Sequence, residues 1–409
     1  MLVRFTWFEW GIRVAKSVEM TRKSYKLLIV AGESSGDSHA ADLVSDLERG
    51  LEGVDLEVFG ATGPVMRAVG VETIVRADDF SVVGVLEIVL ALPRFLSAFR
   101  KLLRSVRERR PDAVILVDFP EFNMKFAKSL KRLGVPVIYF ISPQLWAWRS
   151  YRLRGIKRDV DMLLTIFPFE RGWYEGRGYH GVFYVGNPTA EKITACPPRD
   201  FKSSQIALLP GSRLTEIRRI LPVMLETSEI VFKRRPGATF RIPAASEIAE
   251  REIKSILAEF LNERVGMADA YSVERDSFHE IVGESNVAAV TSGTATLETA
   301  LIGTPLVVVY KSSWLNYMLL RPLISVPFFS LVNLIAGKSV ATELIQRDFT
   351  ALRLADEIES LMDAERNAEF RNELAGIRAK LAGADDGMNA ADRVLSFLES
   401  SKGLSRDDV

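Results

Sequence analysis

The stretch LLIVAGESSGDSHAADL, residues 27–43, joins a short apolar run to a glycine-containing loop and then to a helical pattern. It predicts a buried strand over 26–31, a loop over 32–37 and a helix over 39–50. Such a unit, repeated along a chain, is typical of a parallel sheet covered by helices on both faces. Glu33 is the unexpected residue, because its carboxylate would repel a phosphate in a loop that otherwise resembles a phosphate cradle.

The same unit recurs in both halves of the chain. Further strands are predicted over 56–60, 113–118, 137–141, 162–166 and 183–185. The periodicity stops around a Pro-Pro pair, and QIALLPGSRLTEI at 205–217 restarts it, with later strands predicted over 239–242, 287–290 and 306–310. The fold class is therefore α/β, with two Rossmann-like, doubly wound parallel-sheet lobes that face one cleft.

These patterns also give expected domain boundaries. They are an N-terminal extension over 1–25, a first lobe over 26–187, a linker over 188–204, a second lobe over 205–383, and a C-terminal helix within 384–400 that packs back on the first lobe. The extension lacks the apolar core of a secretory signal, which leaves two interpretations, a start site assigned too early, with Met20 as the real one, or a flexible interfacial anchor.

The composition limits the function classes. A chain of 409 residues is too long for one ordinary core, and 48% hydrophobic residues supply enough apolar material for two. Lys+Arg and Asp+Glu both total 53, so the basic excess that a nucleic-acid partner demands is missing. Cys196 is the single cysteine, which excludes an intrachain disulfide. It fits a reducing compartment, for which we expect the cytoplasm, and it would also fit a cysteine-poor secreted protein. No segment has the roughly 20 apolar residues that a membrane-spanning helix needs.

Two loops of the second half predict a nucleotide diphosphate site. LLPGSR and TSGTATLE each follow a predicted strand and open a predicted helix, whose first backbone amides favour a phosphate oxygen. An arginine adds a bidentate donor, and a glutamate one turn into the helix can accept both hydroxyls of a ribose. Each loop alone has a purely structural explanation, whereas the two together favour a diphosphate. The candidate residues are Gly211, Ser212, Arg213, Ser292, Gly293, Thr294 and Glu298.

Two stretches of the first half carry further polar chemistry. VDFPEFN places Asp118 at a strand end, where it could be a general base, or alternatively a helix cap or loop anchor. Glu33 offers a second acid in the same lobe. SPQLWAWR provides Gln144, Trp146 and Arg149, and such aromatic and polar groups suit a sugar ring, although its tryptophans could equally belong to the core or an interface.

A helical pattern over 92–110 is amphipathic. Its apolar stripe comprises Leu92, Phe95, Leu96, Phe99, Leu103 and Val106. Its other face carries Arg94, Arg100, Lys101, Arg104 and Arg107. This helix could simply cover the sheet, or it could meet an anionic lipid surface, an interpretation that the apolar segments 82–90 and 317–337 favour.

The motifs AGESSGD, VDFPEFN, SPQLWAWR, LLPGSR and TSGTATLE, in this order, resemble lipid-A-disaccharide synthase, a family of inverting glycosyltransferases with the GT-B fold. The resemblance covers about residues 26–398. It implies that UDP-2,3-diacylglucosamine gives its sugar to the 6-hydroxyl of 2,3-diacylglucosamine 1-phosphate, forming a β-1,6-linked disaccharide and UDP in lipopolysaccharide assembly. The family needs no metal, and no cofactor is expected.

By motif match, the resemblance implies roles for individual residues. Asp118 becomes the base, Glu33 the other acid of the acceptor side, and Asn333 the polar residue of the loop NLIAG on the UDP side. The family commonly has proline where this chain has Val332, and some members have histidine where it has Asn187, so no acid–base role is placed there. The resemblance also implies a peripheral enzyme on the cytoplasmic face of the inner membrane of a Gram-negative-type bacterium, and it leaves a homodimer open.

Two other functions compete with this interpretation. A UDP-N-acetylglucosamine 2-epimerase or another UDP-sugar transferase would share the two lobes and the diphosphate loops, but not AGESSGD or the apolar segments. A non-catalytic lipid-binding or scaffold protein could use the amphipathic helix, but it would not need Asp118, Arg213 and Glu298 together.

Overall fold

The computed structural model describes residues 24–51, 54–80, 85–196, 204–264, 266–312 and 326–403, without the side chains of 79–80, 85–92 and 402–403. Several sequence predictions therefore lie outside the described residues. They concern residues 1–23 of the N-terminal extension, 197–203 of the linker, 82–84 of the apolar segment 82–90 and 317–325 of the apolar segment 317–337. Among the described residues, no helix is long and apolar enough to cross a membrane.

The first sheet has seven strands in the order β3-β2-β1-β4-β5-β6-β7. Its central pairs run parallel, as expected for strands that are apolar on both faces and enclosed by helices. All five residues of β4, AVILV, are buried. The strands are Ser24–Ala31 (β1), Asp55–Thr62 (β2), Glu72–Arg76 (β3), Ala113–Val117 (β4), Val137–Phe140 (β5), Met162–Thr165 (β6) and Val182–Tyr184 (β7).

Helices of 5 to 25 residues alternate with these strands. They are Ser34–Gly50 (α1), Pro64–Ala68 (α2), Val85–Arg109 (α3), Pro120–Arg132 (α4), Leu153–Asp159 (α5), Pro168–Glu175 (α6) and Pro188–Lys192 (α7). The helix α1 begins earlier than the sequence predicts, because its first turn already forms inside AGESSGD, where the amide of Asp37 donates to the carbonyl of Glu33 at 2.9 Å.

The second sheet has six parallel strands in the order β10-β9-β8-β11-β12-β13. The strands are Gln205–Leu209 (β8), Thr239–Ala244 (β9), Tyr271–Arg275 (β10), Val287–Thr291 (β11), Leu306–Tyr310 (β12) and Glu343–Ile345 (β13). The helices are Leu214–Arg234 (α8), Glu247–Leu261 (α9), Phe278–Glu284 (α10), Thr294–Ile302 (α11), Leu331–Ala336 (α12), Ala351–Leu361 (α13), Ala364–Leu381 (α14) and Ala390–Gly403 (α15).

The chain divides into two compact units that are not continuous in sequence. The first unit comprises the described parts of Met1–Pro143, Gly155–Leu163 and Ala390–Val409. The second comprises the described parts of Gln144–Arg154 and Leu164–Asn389. The helix α15 lies in the first unit against α1, where Leu395 packs so closely on Gly50 that an added Cβ would lie 2.8 Å from its Cδ1.

The amphipathic helix α3 packs differently from its predicted stripe. Ala98, Leu102 and Val106 are the buried residues of its seam, with Phe99 half-buried beside them. Leu96, predicted to lie on the buried stripe, is 48% exposed. That prediction was wrong because the spacing of Ala98, Leu102 and Val106, every fourth residue, defines a seam on which Leu96 does not lie.

Candidate functional site

The first candidate site lies at the carboxyl ends of the neighbouring strands β1 and β4. Ala31 pairs with Val117 in the register of these strands, so Glu33 and Asp118, which follow them, emerge at the same edge of the sheet. From β1 the chain continues to β2 on one side of this pair, and from β4 it continues to β5 on the other side. The strand order therefore reverses between β1 and β4. Open parallel sheets bind ligands at such a point.

Asp118 occupies an unusual turn. It and Phe119 both adopt left-handed backbone conformations, with φ of 45° and 47°, which residues with a Cβ rarely adopt. The turn is held from three directions. The amide of Asp118 donates to the carbonyl of Phe140 at 3.0 Å, and its carbonyl accepts from the Tyr139 hydroxyl at 2.6 Å and from Asn123 Nδ2 at 2.8 Å. Strain maintained in this way is characteristic of functional positions.

The environment of Asp118 makes it a weak acid. Burial, and to a smaller extent the negative charge of Glu33, raise the pKa of its carboxyl to about 6 against the opposing effect of a hydrogen bond from the Phe119 amide. A carboxylate whose pKa is close to neutrality is suited to accept a proton in a reaction, because it is ionised at neutral pH and still basic.

Gly32 allows the loop to approach this turn. A Cβ at position 32 would lie 2.2 Å from the nearest ring carbon of Phe119, so only glycine leaves room for that ring. The ring also stacks on Phe95 and Phe122, at centroid distances of 6.3 and 5.7 Å. The glycine of AGESSGD thus serves packing around Asp118.

The last residue of AGESSGD is structural. The buried Asp37 accepts hydrogen bonds from the amides of Gly63, Val65 and Met66 at 2.7, 2.8 and 3.3 Å. These amides begin α2, so the carboxylate caps that helix and ties the β1–α1 loop to the stretch ATGPVM. Within the motif, Glu33 is exposed at the start of α1 and remains the acid available to a ligand.

The second candidate site is a cavity of about 700 Å³ in the second unit. It lies at the carboxyl ends of the neighbouring strands β8 and β11, where α8 and α11 begin. The structure brings together in its walls the seven residues that the loops LLPGSR and TSGTATLE supply for a nucleotide diphosphate. These are Gly211, Ser212, Arg213, Ser292, Gly293, Thr294 and Glu298.

The two loops of this cavity are tied to each other. Thr291 Oγ1 donates to the carbonyl of Leu209 at 2.8 Å, which joins the end of β11 to the end of β8. Gly211 has a φ of 104°, and a Cβ there would lie 2.6 Å from Glu216 Oε2. Arg213 is 80% exposed and pairs with Glu216 at 3.1 Å, so its guanidinium can turn toward a ligand at little cost. The first amides of α8 and α11 complete an anion-binding surface.

His279 is a cavity residue for which the sequence predicted no role. Its Nε2 lies 3.3 Å from Glu298 Oε2. Burial raises the pKa of Glu298 above its ordinary value, and the neighbouring imidazole opposes that rise. His279 follows the strand β10, so the rule that ligands lie beyond strand ends could have found it.

In the stretch SPQLWAWR some side chains are buried in the core and others are exposed at the surface. Trp146 is 5% exposed, and its Nε1 donates to Glu170 Oε1 at 2.9 Å, while Gln144 is exposed. Both line a second cavity of about 460 Å³. Arg149 lies over the ring of Trp148 at 3.9 Å and does not line that cavity.

Asn333 is fully buried and lines neither of the two cavities described above. Its Nδ2 donates to the carbonyl of Ala341 and to Glu343 Oε1, both at 2.9 Å, and its Oδ1 accepts from the amides of Val340 and Ala341 at 2.8 and 2.9 Å. These bonds use the whole hydrogen-bonding capacity of the amide, so Asn333 shapes the loop between α12 and β13.

Comparison with known sequences gives a consistent result. The family model described as Lipid-A-disaccharide synthetase matches residues 27–385. A curated relative named lipid-A-disaccharide synthase, from Anaeromyxobacter dehalogenans (strain 2CP-C), is 40% identical over 387 residues, which cover 92% of this chain and 98% of the relative.

Solved structures resemble the fold. UDP-GlcNAc 2-epimerase from Neisseria meningitidis bound to UDP-GlcNAc matches 92% of this chain and 99% of its own with a TM-score of 0.58 at 11% identity. The glycotransferase of kitacinnamycin matches 92% and 99% with a TM-score of 0.58 at 15% identity. At such identities only the fold is comparable. Together with the two parallel-sheet lobes, these matches confirm the predicted GT-B fold class.

Proposed function

Because the chain belongs to the lipid-A-disaccharide synthase family, we propose a division of its reaction between the two candidate sites. The protein is a glycosyltransferase that uses a UDP-sugar donor. It transfers 2,3-diacylglucosamine from UDP to the 6-hydroxyl of 2,3-diacylglucosamine 1-phosphate, which gives a β-1,6-linked disaccharide 1-phosphate and UDP. The second unit binds the donor, and the first unit activates the acceptor.

The cavity of about 700 Å³ is the donor site. Its two helix N-termini and Arg213 favour the diphosphate, whose negative charge grows as the glycosidic bond breaks. Glu298 accepts hydrogen bonds from the ribose hydroxyls. This assignment agrees with UDP-GlcNAc in the Neisseria epimerase, a protein of the same fold.

Asp118 is the catalytic base. As the 6-oxygen of the acceptor attacks the anomeric carbon of the donor, its proton passes to the Asp118 carboxylate. The new bond from the 6-oxygen to the anomeric carbon forms while the bond from that carbon to the diphosphate oxygen breaks, and UDP leaves with the electron pair. A single displacement of this kind inverts the configuration at the anomeric carbon.

Glu33 has two uses in this scheme. Its negative charge helps to keep the pKa of Asp118 at about 6, which makes that carboxylate a stronger base. Its exposed carboxylate at the start of α1 can also accept a hydrogen bond from the acceptor sugar.

The exposed surface of α3 is the membrane contact in this proposal. Leu96 lies exposed among the basic residues Arg94, Arg100, Lys101 and Arg104, which are exposed as well. Basic side chains next to an apolar one are typical of a helix on an anionic lipid surface. It would hold the enzyme on the cytoplasmic face of the inner membrane, where acylated substrates lie.

Vesicle sedimentation tests this contact. The protein should sediment with vesicles containing anionic phospholipid and not with neutral ones, and replacement of Arg100 and Arg104 by glutamate should abolish the difference. Equal binding to both kinds of vesicle would refute a basic contact.

Light scattering of the protein as it elutes from a size-exclusion column decides between a monomer and a homodimer.

One observation carries the assignment of the sites, namely that all seven residues predicted for the diphosphate line one cavity. The test is to incubate the protein with both acylated substrates and identify products by mass spectrometry and NMR. We expect UDP and a β-1,6-linked disaccharide in equal amounts. UDP-N-acetylglucosamine alone serves as the control for an epimerase. Its epimerisation, with no disaccharide from the two lipids, would contradict the proposal.

A further inference from the structure

A second cavity of about 460 Å³ lies beside the proposed donor site. The two cavities share Ser292, Gly293 and Thr294, the loop at the start of α11. Beyond this loop its walls are mainly apolar, and the mechanism proposed above makes no use of them. The larger apolar wall residues include Trp146, Trp148, Phe328, Phe329, Leu331 and Leu334.

Two carboxylates, the buried Glu170 and the half-buried Glu343, hold two walls of this cavity in place. Glu170 accepts from Trp146 Nε1 at 2.9 Å and from the Phe167 amide at 3.1 Å, which fixes the indole. On the other wall, Glu343 accepts from the amides of Phe329 and Ser330, both at 2.9 Å. A cavity whose walls are fixed in this way is formed before a ligand arrives, so binding does not have to order them.

A further hydrogen bond connects the wall of this cavity to the loop 292–294. Ser292 Oγ donates to the carbonyl of Phe329 at 3.3 Å, so the wall segment that contains Phe329 is attached to the loop that both cavities share. A ligand group that enters the apolar cavity therefore starts next to the diphosphate. Few polar side chains face this space, which suits a hydrocarbon chain better than a second sugar with its hydroxyls.

We propose that this cavity binds the fatty-acyl chain attached to the 2-amino group of the donor sugar, an inference that rests on the proposed donor site. The 2-carbon is bonded directly to the anomeric carbon, which carries the diphosphate. Its amide is therefore the acyl linkage nearest to the shared loop Ser292–Thr294. The chain on the 3-oxygen starts one carbon farther away.

This placement predicts how affinity depends on chain length. Each methylene that moves from water into an apolar site strengthens binding by about fourfold. A UDP-glucosamine with a ten-carbon N-acyl chain should therefore bind at least about 100-fold more tightly than UDP-N-acetylglucosamine. Chains of ten carbons or fewer keep the donors dispersed in water. The binding of UDP itself should be independent of the apolar walls.

The variant Leu334→Trp fills part of the cavity, and Leu352→Trp, which places the same side chain on an exposed site of α13, is its control. Calorimetry should give dissociation constants for UDP and for UDP-glucosamine with N-acyl chains of two, six and ten carbons. We expect Leu334→Trp to remove at least tenfold of the advantage of the ten-carbon chain, with unchanged affinity for UDP, and Leu352→Trp to resemble the wild type.

Three results would overturn the inference. They are an affinity that does not depend on N-acyl length, an equal effect of both tryptophan variants, or a dependence on a ten-carbon chain at the 3-oxygen instead. Each of these can occur while UDP binds normally, so they leave the donor site intact. Failure of the wild type to bind UDP would instead refute the donor site, and the acyl-chain inference with it.

Discussion

Replacement of Asp118 by asparagine should stabilise the protein at pH 8. Burial and Glu33 raise the pKa of this carboxyl from 3.8 to about 6 in the folded protein. Below pH 3.8 the group is protonated in both the folded and the unfolded state and contributes nothing. As the pH rises through the window from 3.8 to about 6, the unfolded state ionises first, so the free energy of unfolding falls.

The size of this effect follows from the pKa. A rise from 3.8 to about 6 corresponds to about 3 kcal/mol, fully expressed above pH 6, and partial solvent exposure makes this an upper limit. Asparagine has nearly the same shape as aspartate and tolerates the left-handed φ of 45°. The Asp118→Asn variant therefore loses the cost of a buried charge and keeps the backbone of the turn.

Scanning calorimetry of wild type and variant at pH 8 and pH 4 measures this difference. We expect the Tm of the variant to rise by up to about 4 °C at pH 8 and to match the wild type near pH 4. Asp276→Asn is the matched control, because Asp276 has a similar φ of 59° but an exposed side chain. It should change the Tm little. A variant no more stable than the wild type at pH 8, or equally stabilised at both pH values, would refute the reasoning.

Three further predictions concern the two sites. Glu33→Gln removes the charge that raises the pKa of Asp118, so the acidic limb of the kcat/KM profile should move to lower pH, and an unmoved limb would contradict this. Gly32→Ala places a Cβ 2.2 Å from the Phe119 ring and should destabilise the protein by about 1–3 kcal/mol in urea unfolding; unchanged stability would show that the ring moves away freely. Glu298→Gln should weaken UDP binding about tenfold in calorimetry, whereas an unchanged Kd would exclude it from the ribose contact.

Much of the fold could be predicted from the sequence because the central strands are buried on both faces. Apolar runs such as AVILV predict strands directly, and the structure has a fully buried strand, β4, at this position. The edge strands β3, β10 and β13 were missed. Each lies at the end of its sheet, and β3 and β10, with the sequences ETIVR and YSVER, are only half-buried, so they carry no apolar run.

The sequence predicted those site residues whose positions follow from the end of a strand. It did not predict the contacts that depend on the direction of a side chain. Glu33 and Asp118 come together because β1 and β4 are neighbours, which follows from the α/β pattern. The hydrogen bonds that Tyr139 and Asn123 donate to the Asp118 carbonyl depend on side-chain directions, which a single sequence does not contain. The same holds for Asn333, a polar residue that bonds to its own loop.

In the proposed reaction, Asp118 acts as the base on the acceptor hydroxyl while the second unit holds UDP. The most direct test measures disaccharide formation and the Kd for UDP in the wild type and in Asp118→Asn at pH 8. We expect kcat to fall about 10²–10⁴-fold in the variant while the Kd for UDP stays within twofold. Turnover within tenfold of the wild type would exclude Asp118 as the base, because the reaction would then not need this carboxylate.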